Sequence, residues 1–147
     1  MNSTQRQLCV GLAAGLEALR AVSALGLALT ATGLVLIALR WPAAGSAPAA
    51  LAAASVLMLG LLERLWAARI AFDARLFAAL ANGQLTDLTA LDECLSGLGL
   101  RPNTSPARDL GSRIAGTRGL VRQHLAIVIA QAACCGLIPL LFSLLAA

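Results

Sequence analysis

Residues 21–39 read AVSALGLALTATGLVLIAL and carry no charge. Wound as a helix at about 1.5 Å per residue they reach about 28 Å, close to the roughly 30 Å thickness of bilayer hydrocarbon. Arg40, Trp41 and Pro42 follow. Arg and Trp favour the membrane interface, and Pro disfavours further helix. The first helix extends backwards as well. Leu8–Arg20 is helix-compatible, with Glu17 and Arg20 three residues apart and able to pair on one face.

PAAGSAP, from Pro42 to Pro48, is a Pro/Gly/Ser turn signal. So short a link returns the next helix antiparallel beside the first. That second span is expected over about 49–66. Glu63 and Arg64 are expected to snorkel to its edge, and Leu65 and Trp66 to extend its apolar surface. No breaker appears before Asn82-Gly83, so the helix should continue to about Ala81. Leu62, Trp66, Ile70, Phe77 and Leu80 then fall near one face.

Beyond it, Leu88, Leu91, Leu95 and Leu98 are spaced 3, 4, 3, the pattern of an amphipathic helix. RPNTSPAR (Arg101–Arg108) reads as a loop. A helical pattern resumes at Asp109 and runs into a third span over 125–146, with Pro139 inside it to kink it. The expected fold is therefore all-α. Residues 1–82 form a transmembrane hairpin with cytoplasmic extensions, 83–124 a cytoplasmic helical layer, and 125–147 a third transmembrane helix.

Composition agrees. The 147 residues are 59% hydrophobic and 12% charged, with a mean hydropathy of +0.83. Soluble domains average about 45–50% apolar and about 25% charged. Tyr is absent and aromatics are 3%, which disfavours strands; Ala and Leu favour helix. Every basic side chain is Arg. The net charge of +4 comes without a nucleic-acid-binding pattern, so no nucleic-acid partner is expected.

All of the arginines except Arg40, and all seven acids, fall on the side of the N-terminus and of residues 63–124. Basic residues stay cytoplasmic. The N-terminus is therefore expected inside and the C-terminus in the periplasm, across a bacterial inner membrane. A cleavable leader ending near Gly45–Ala47 is the competing reading. Glu17 and Arg20 inside it, and its long apolar region, count against it.

Ser23, Gly26, Thr30 and Gly33 recur at 3, 4, 3 along the first span, a small-residue face that lets helices approach closely. Gln131 needs a partner in lipid and should share in that packing. Gly11 and Gly15 form a further GxxxG. Folding the hairpin near residue 44 places residue i opposite about 88 − i. That register predicts an interfacial charge cluster of Glu17, Arg20, Arg69 and Asp73, since charges near lipid must pair or reach water. Arg113, Arg118 and Arg122 are candidates for contact with anionic lipid headgroups or an anionic ligand. No span carries a charge at its centre, which argues against a proton relay.

Catalytic signals are missing. The single His lies at a membrane border, and no GxSxG, HExxH or P-loop occurs. Cys134 and Cys135 are adjacent, so they point about 100° apart and do not chelate one metal together. No enzyme activity, cofactor or metal is expected. The functional expectation is a non-enzymatic membrane subunit or scaffold that assembles with itself or with a partner complex. The alternative is a homo-oligomeric channel or small-solute transporter lined by Ser, Thr and Gln of the spans.

Overall fold

A computed structural model describes residues 3–44, 46–84, 96–97 and 110–145. It contains three long α-helices: α1 (Ser3–Ala44), α2 (Ser46–Ala81) and α3 (Leu110–Leu145). No strand occurs among the described residues. Each helix is long and apolar enough to cross a membrane. The Leu88–Leu98 amphipathic helix and the 101–108 loop lie outside the described residues, apart from Ser96 and Gly97.

The first two helices extend further into PAAGSAP than its sequence implies. Helix α1 continues through Pro42 to Ala44, and α2 begins at Ser46. Pro42 sits in the last turn of α1, where its missing N–H deprives one carbonyl of a donor near an end that already has unpaired carbonyls. Pro48 falls in the first turn of α2, where its N–H would have had no helical partner anyway.

The other end of α2 is closed by backbone geometry. Gly83 has φ +72°. Its N–H bonds the Leu80 carbonyl at 3.3 Å, and the Gln84 N–H bonds the Ala79 carbonyl at 3.0 Å. This is a Schellman cap, and glycine adopts its left-handed residue without a Cβ penalty. Pro139 lies inside α3 without ending it.

The described residues divide into two compact units. One joins Met1–Glu17 to Ile70–Val121; the other joins Ala18–Arg69 to Arg122–Ala147. In the first, Cys9, Leu16, Ile70, Ala74, Phe77 and Leu80 are buried. There the buried Thr117 hydroxyl donates to Asp73 Oδ2 at 2.7 Å. In the second, Ile37, Ala49, Val56, Ile138 and Phe142 form an apolar core, with Leu34, Leu36, Ala52 and Ala53 packed on it.

The buried positions repeat every seven residues. On α2 they are Ala49, Val56, Glu63, Ile70 and Phe77. On α3, Thr117, His124, Gln131 and Ile138 follow the same step. On α1, Cys9, Leu16 and Ile37 are buried, and the half-buried Ser23 and Thr30 fill the intervening steps. A repeat of seven keeps one face of each helix inward. The expected α2 face is corrected at one point. Leu62 is 39% exposed, because the seam passes through Glu63 instead.

Candidate functional site

In the unit of Ala18–Arg69 and Arg122–Ala147, small residues of one helix sit against larger ones of its neighbour. A Cβ built on Gly26 would lie 2.9 Å from Glu63 Cδ, and one on Gly33 would lie 3.1 Å from Val56 Cγ1. A Cβ on Gly60 would lie 2.7 Å from Thr30 Oγ1. These pairs run antiparallel, in a register one or two residues beyond the 88 − i of the sequence reading. Each glycine leaves the space its partner fills.

That packing brings a set of polar side chains into the interior. Glu63 is fully buried, which corrects the expectation that it snorkels outward. Two features keep it inside. Gly26 leaves room for its carboxyl group, and Arg64 supplies the compensating charge. Arg64 Nε donates to Glu63 Oε2, and its Nη2 donates to the Ser23 carbonyl on α1. The Arg64 side chain remains 42% exposed, so it links the buried carboxylate to the surface.

From α3, His124 is also fully buried. Its Nε2 lies 3.4 Å from Ser23 Oγ, and its Nδ1 lies 3.8 Å from Glu63 Oε1. The second distance is too long for a hydrogen bond. Glu63 Oε1 and His124 Nδ1 accordingly have no hydrogen-bond partner among the described residues.

One heptad further, Thr30 and Gln131 meet. Gln131 Nε2 donates to Thr30 Oγ1 at 3.0 Å, and the Thr30 hydroxyl donates to the Gly26 carbonyl at 3.0 Å. Gln131 is buried and its Oε1 has no hydrogen-bond partner among the described residues. A turn on, Cys135 Sγ donates to the Leu29 carbonyl at 3.2 Å. A polar seam thus runs from the Glu63 level through Thr30–Gln131 to Cys135, and stops at the apolar core.

The small-residue face named in the sequence, Ser23, Gly26, Thr30, Gly33 and Gln131, lines this seam. The four residues of the expected charge cluster belong to different units, Glu17 and Asp73 to one and Arg20 and Arg69 to the other. The Arg69 guanidinium lies over the Trp66 ring, 5.9 Å from its centroid, an arrangement that favours a cation. Asp73 accepts from Thr117. Glu17 and Arg20 occupy exposed positions on α1. On α3, Arg113 is half-buried, while Arg118 and Arg122 are exposed and one turn apart.

Sequence reasoning overlooked Glu63 and His124 as a pair. The signal was present in the seven-residue steps Ser23–Thr30–Ile37, Val56–Glu63–Ile70 and His124–Gln131–Ile138. Among the described residues, no group of three or more His, Cys, Asp or Glu side chains is placed to hold a metal. The chain matches no protein-family model, no curated protein and no solved structure.

Proposed function

We propose that the chain is a small, non-enzymatic integral membrane subunit or scaffold that assembles by helix packing, with itself or with a partner membrane complex. The observation that carries this is how little of the apolar sequence is covered. In the most apolar stretch of each helix only 17%, 22% and 22% of the residues are buried. Leu39, Leu51, Ile129, Leu140 and Leu144 are each 61–76% exposed. In water such a surface would collapse or aggregate; in hydrocarbon it costs nothing.

The exposed serines fit an apolar surround. Ser55 donates to the Leu51 carbonyl at 2.9 Å and Ser143 to the Pro139 carbonyl at 2.7 Å, which satisfies each hydroxyl within its own helix. The arginine distribution supports a bacterial inner-membrane protein with its N-terminus inside and its C-terminus in the periplasm. Arg118 and Arg122 are available to anionic lipid headgroups.

Assembly is supported by glycines that face no neighbour. A Cβ added at Gly11, Gly15, Gly116, Gly119 or Gly136 would meet nothing within 4 Å among the described residues. Such positions favour close helix contact in membranes. The pore alternative is disfavoured by the seam itself. Thr30 and Gln131, which would have lined a channel between protomers, bond to each other within one chain.

Native mass spectrometry of the protein released from membranes tests the proposal. A defined oligomer, or a stoichiometric co-purifying membrane protein, is expected. A lone monomer with no partner would overturn it.

A further inference from the structure

Glu63 and His124 form an acid–base couple with no exposed surface. Each has one atom engaged and one not. Oε2 of Glu63 takes the Arg64 Nε–H, and Nε2 of His124 faces the Ser23 hydroxyl. The remaining atoms, Oε1 and Nδ1, lie 3.8 Å apart and have no hydrogen-bond partner among the described residues. Buried polar atoms are nearly always paired, so two that point at each other across a short gap need an explanation.

When the neutral imidazole carries its proton on Nε2, two lone pairs face each other across the gap. One added proton changes both partners at once. Placed on Nδ1, it makes the ring a donor at both nitrogens, to the Glu63 carboxylate and to Ser23 Oγ. The carboxylate then lies between two cations, Arg64 and the imidazolium. Charge-assisted N–H···O bonds are about 2.7–2.9 Å long, so the gap closes by about 1 Å.

We propose that Glu63 and His124 form a buried proton-binding site, in which a single proton taken from solution bridges Oε1 and Nδ1. This goes beyond the assembly role and does not depend on it.

The surroundings suit the task. Helix α2 contributes Glu63 and Arg64, α3 contributes His124, and α1 contributes the uncharged Ser23. Arg20 and Arg122, exposed on α1 and α3, lie within a turn of Ser23 and His124 in sequence. The half-exposed Arg64 side chain runs from the Glu63 carboxylate to the protein surface. Gly26 lets the carboxyl group seat deeply enough to meet the ring. Histidine is the side chain whose proton exchange ordinarily falls in the pH 5–8 range.

The chain has one histidine, so ¹⁵N-histidine labelling reports this residue alone. The experiment records the two ring-nitrogen signals of the full chain in lipid nanodiscs from about pH 8 to about pH 5. In the wild type they are expected to pass from the neutral-ring pattern to the imidazolium pattern. In Glu63→Gln that change is expected to be lost within the window, and in Ser55→Ala, at an exposed position on α2 outside the site, retained. Wild-type signals that keep a neutral-ring pattern throughout would overturn the site. So would Glu63→Gln signals that follow the wild type. Loss of the response in Ser55→Ala would overturn the pairing. Should Glu63→Gln not fold, Glu63→Asp, which keeps the charge but withdraws it from the ring, is expected to move the change to lower pH, and an unmoved midpoint overturns the site.

Discussion

Gly26 on α1 and Glu63 on α2 are space and occupant. A Cβ at position 26 would sit 2.9 Å from the Glu63 carboxyl carbon, and Glu63 has no exposed surface. The glycine holds a buried carboxylate in place by having no side chain of its own. Replacing Gly26 with Val should therefore destabilise the fold by about 1–3 kcal/mol, the usual range for overpacking. Combining it with Glu63→Ala should recover part of that loss, since neighbours in contact are not additive. Reversible unfolding of the four proteins in mixed detergent micelles measures the coupling. Strict additivity would refute the contact.

Arg64 is predicted to matter more than an ordinary surface arginine. Its removal leaves the Glu63 carboxylate without its charge partner. Breaking a buried pair typically costs about 3–5 kcal/mol. Because this guanidinium is 42% exposed, about 1–3 kcal/mol is the appropriate expectation for Arg64→Ala. Arg64→Lys should recover only part of it, since an ammonium lacks the fork that reaches both Glu63 Oε2 and the Ser23 carbonyl. Equal stability of Arg64→Lys and wild type would contradict that geometry.

The Thr30–Gln131 bond should be worth about 0.6 kcal/mol, the average found for such pairs between membrane helices. A double-mutant cycle with Thr30→Val and Gln131→Leu reads it directly. A coupling energy indistinguishable from zero would mean that the bond contributes no net stability.

Gly83 offers a prediction independent of any membrane. Its left-handed conformation should make Gly83→Ala destabilising by about 1 kcal/mol. Gly83→Asn should cost less, because Asn tolerates that region. Hydrogen exchange at the amides of Gly83 and Gln84, which close the α2 cap, is the sensitive readout. Unchanged protection in Gly83→Ala would count against the cap.

Much of the helical layout is legible in the sequence, because uncharged stretches and terminators are local signals. The 21–39 stretch lies within α1, and Asn82-Gly83 marks the end of α2. The turn is less legible. Pro42 and Pro48 read as breakers, yet each falls within a turn of a helix end, where its missing donor costs little. The site was hidden for a different reason. Helices long and apolar enough to cross a membrane are apolar outside as well as inside, so apolar periodicity does not distinguish the two faces. Leu62 and Glu63 show the consequence. Hydropathy puts the leucine in and the acid out, whereas Gly26 on another helix reverses them. Only the seven-residue recurrence of Ser, Thr, Glu, His and Gln carries the inward direction, and it does so through polar residues.

Ile37, Ala49, Val56, Ile138 and Phe142 stand where the polar seam ends. These five side chains neither donate nor accept hydrogen bonds, so the polar row closes on an apolar plug at that end. Hydrogen bonding that begins at the level of Glu63 has nowhere to continue past that plug.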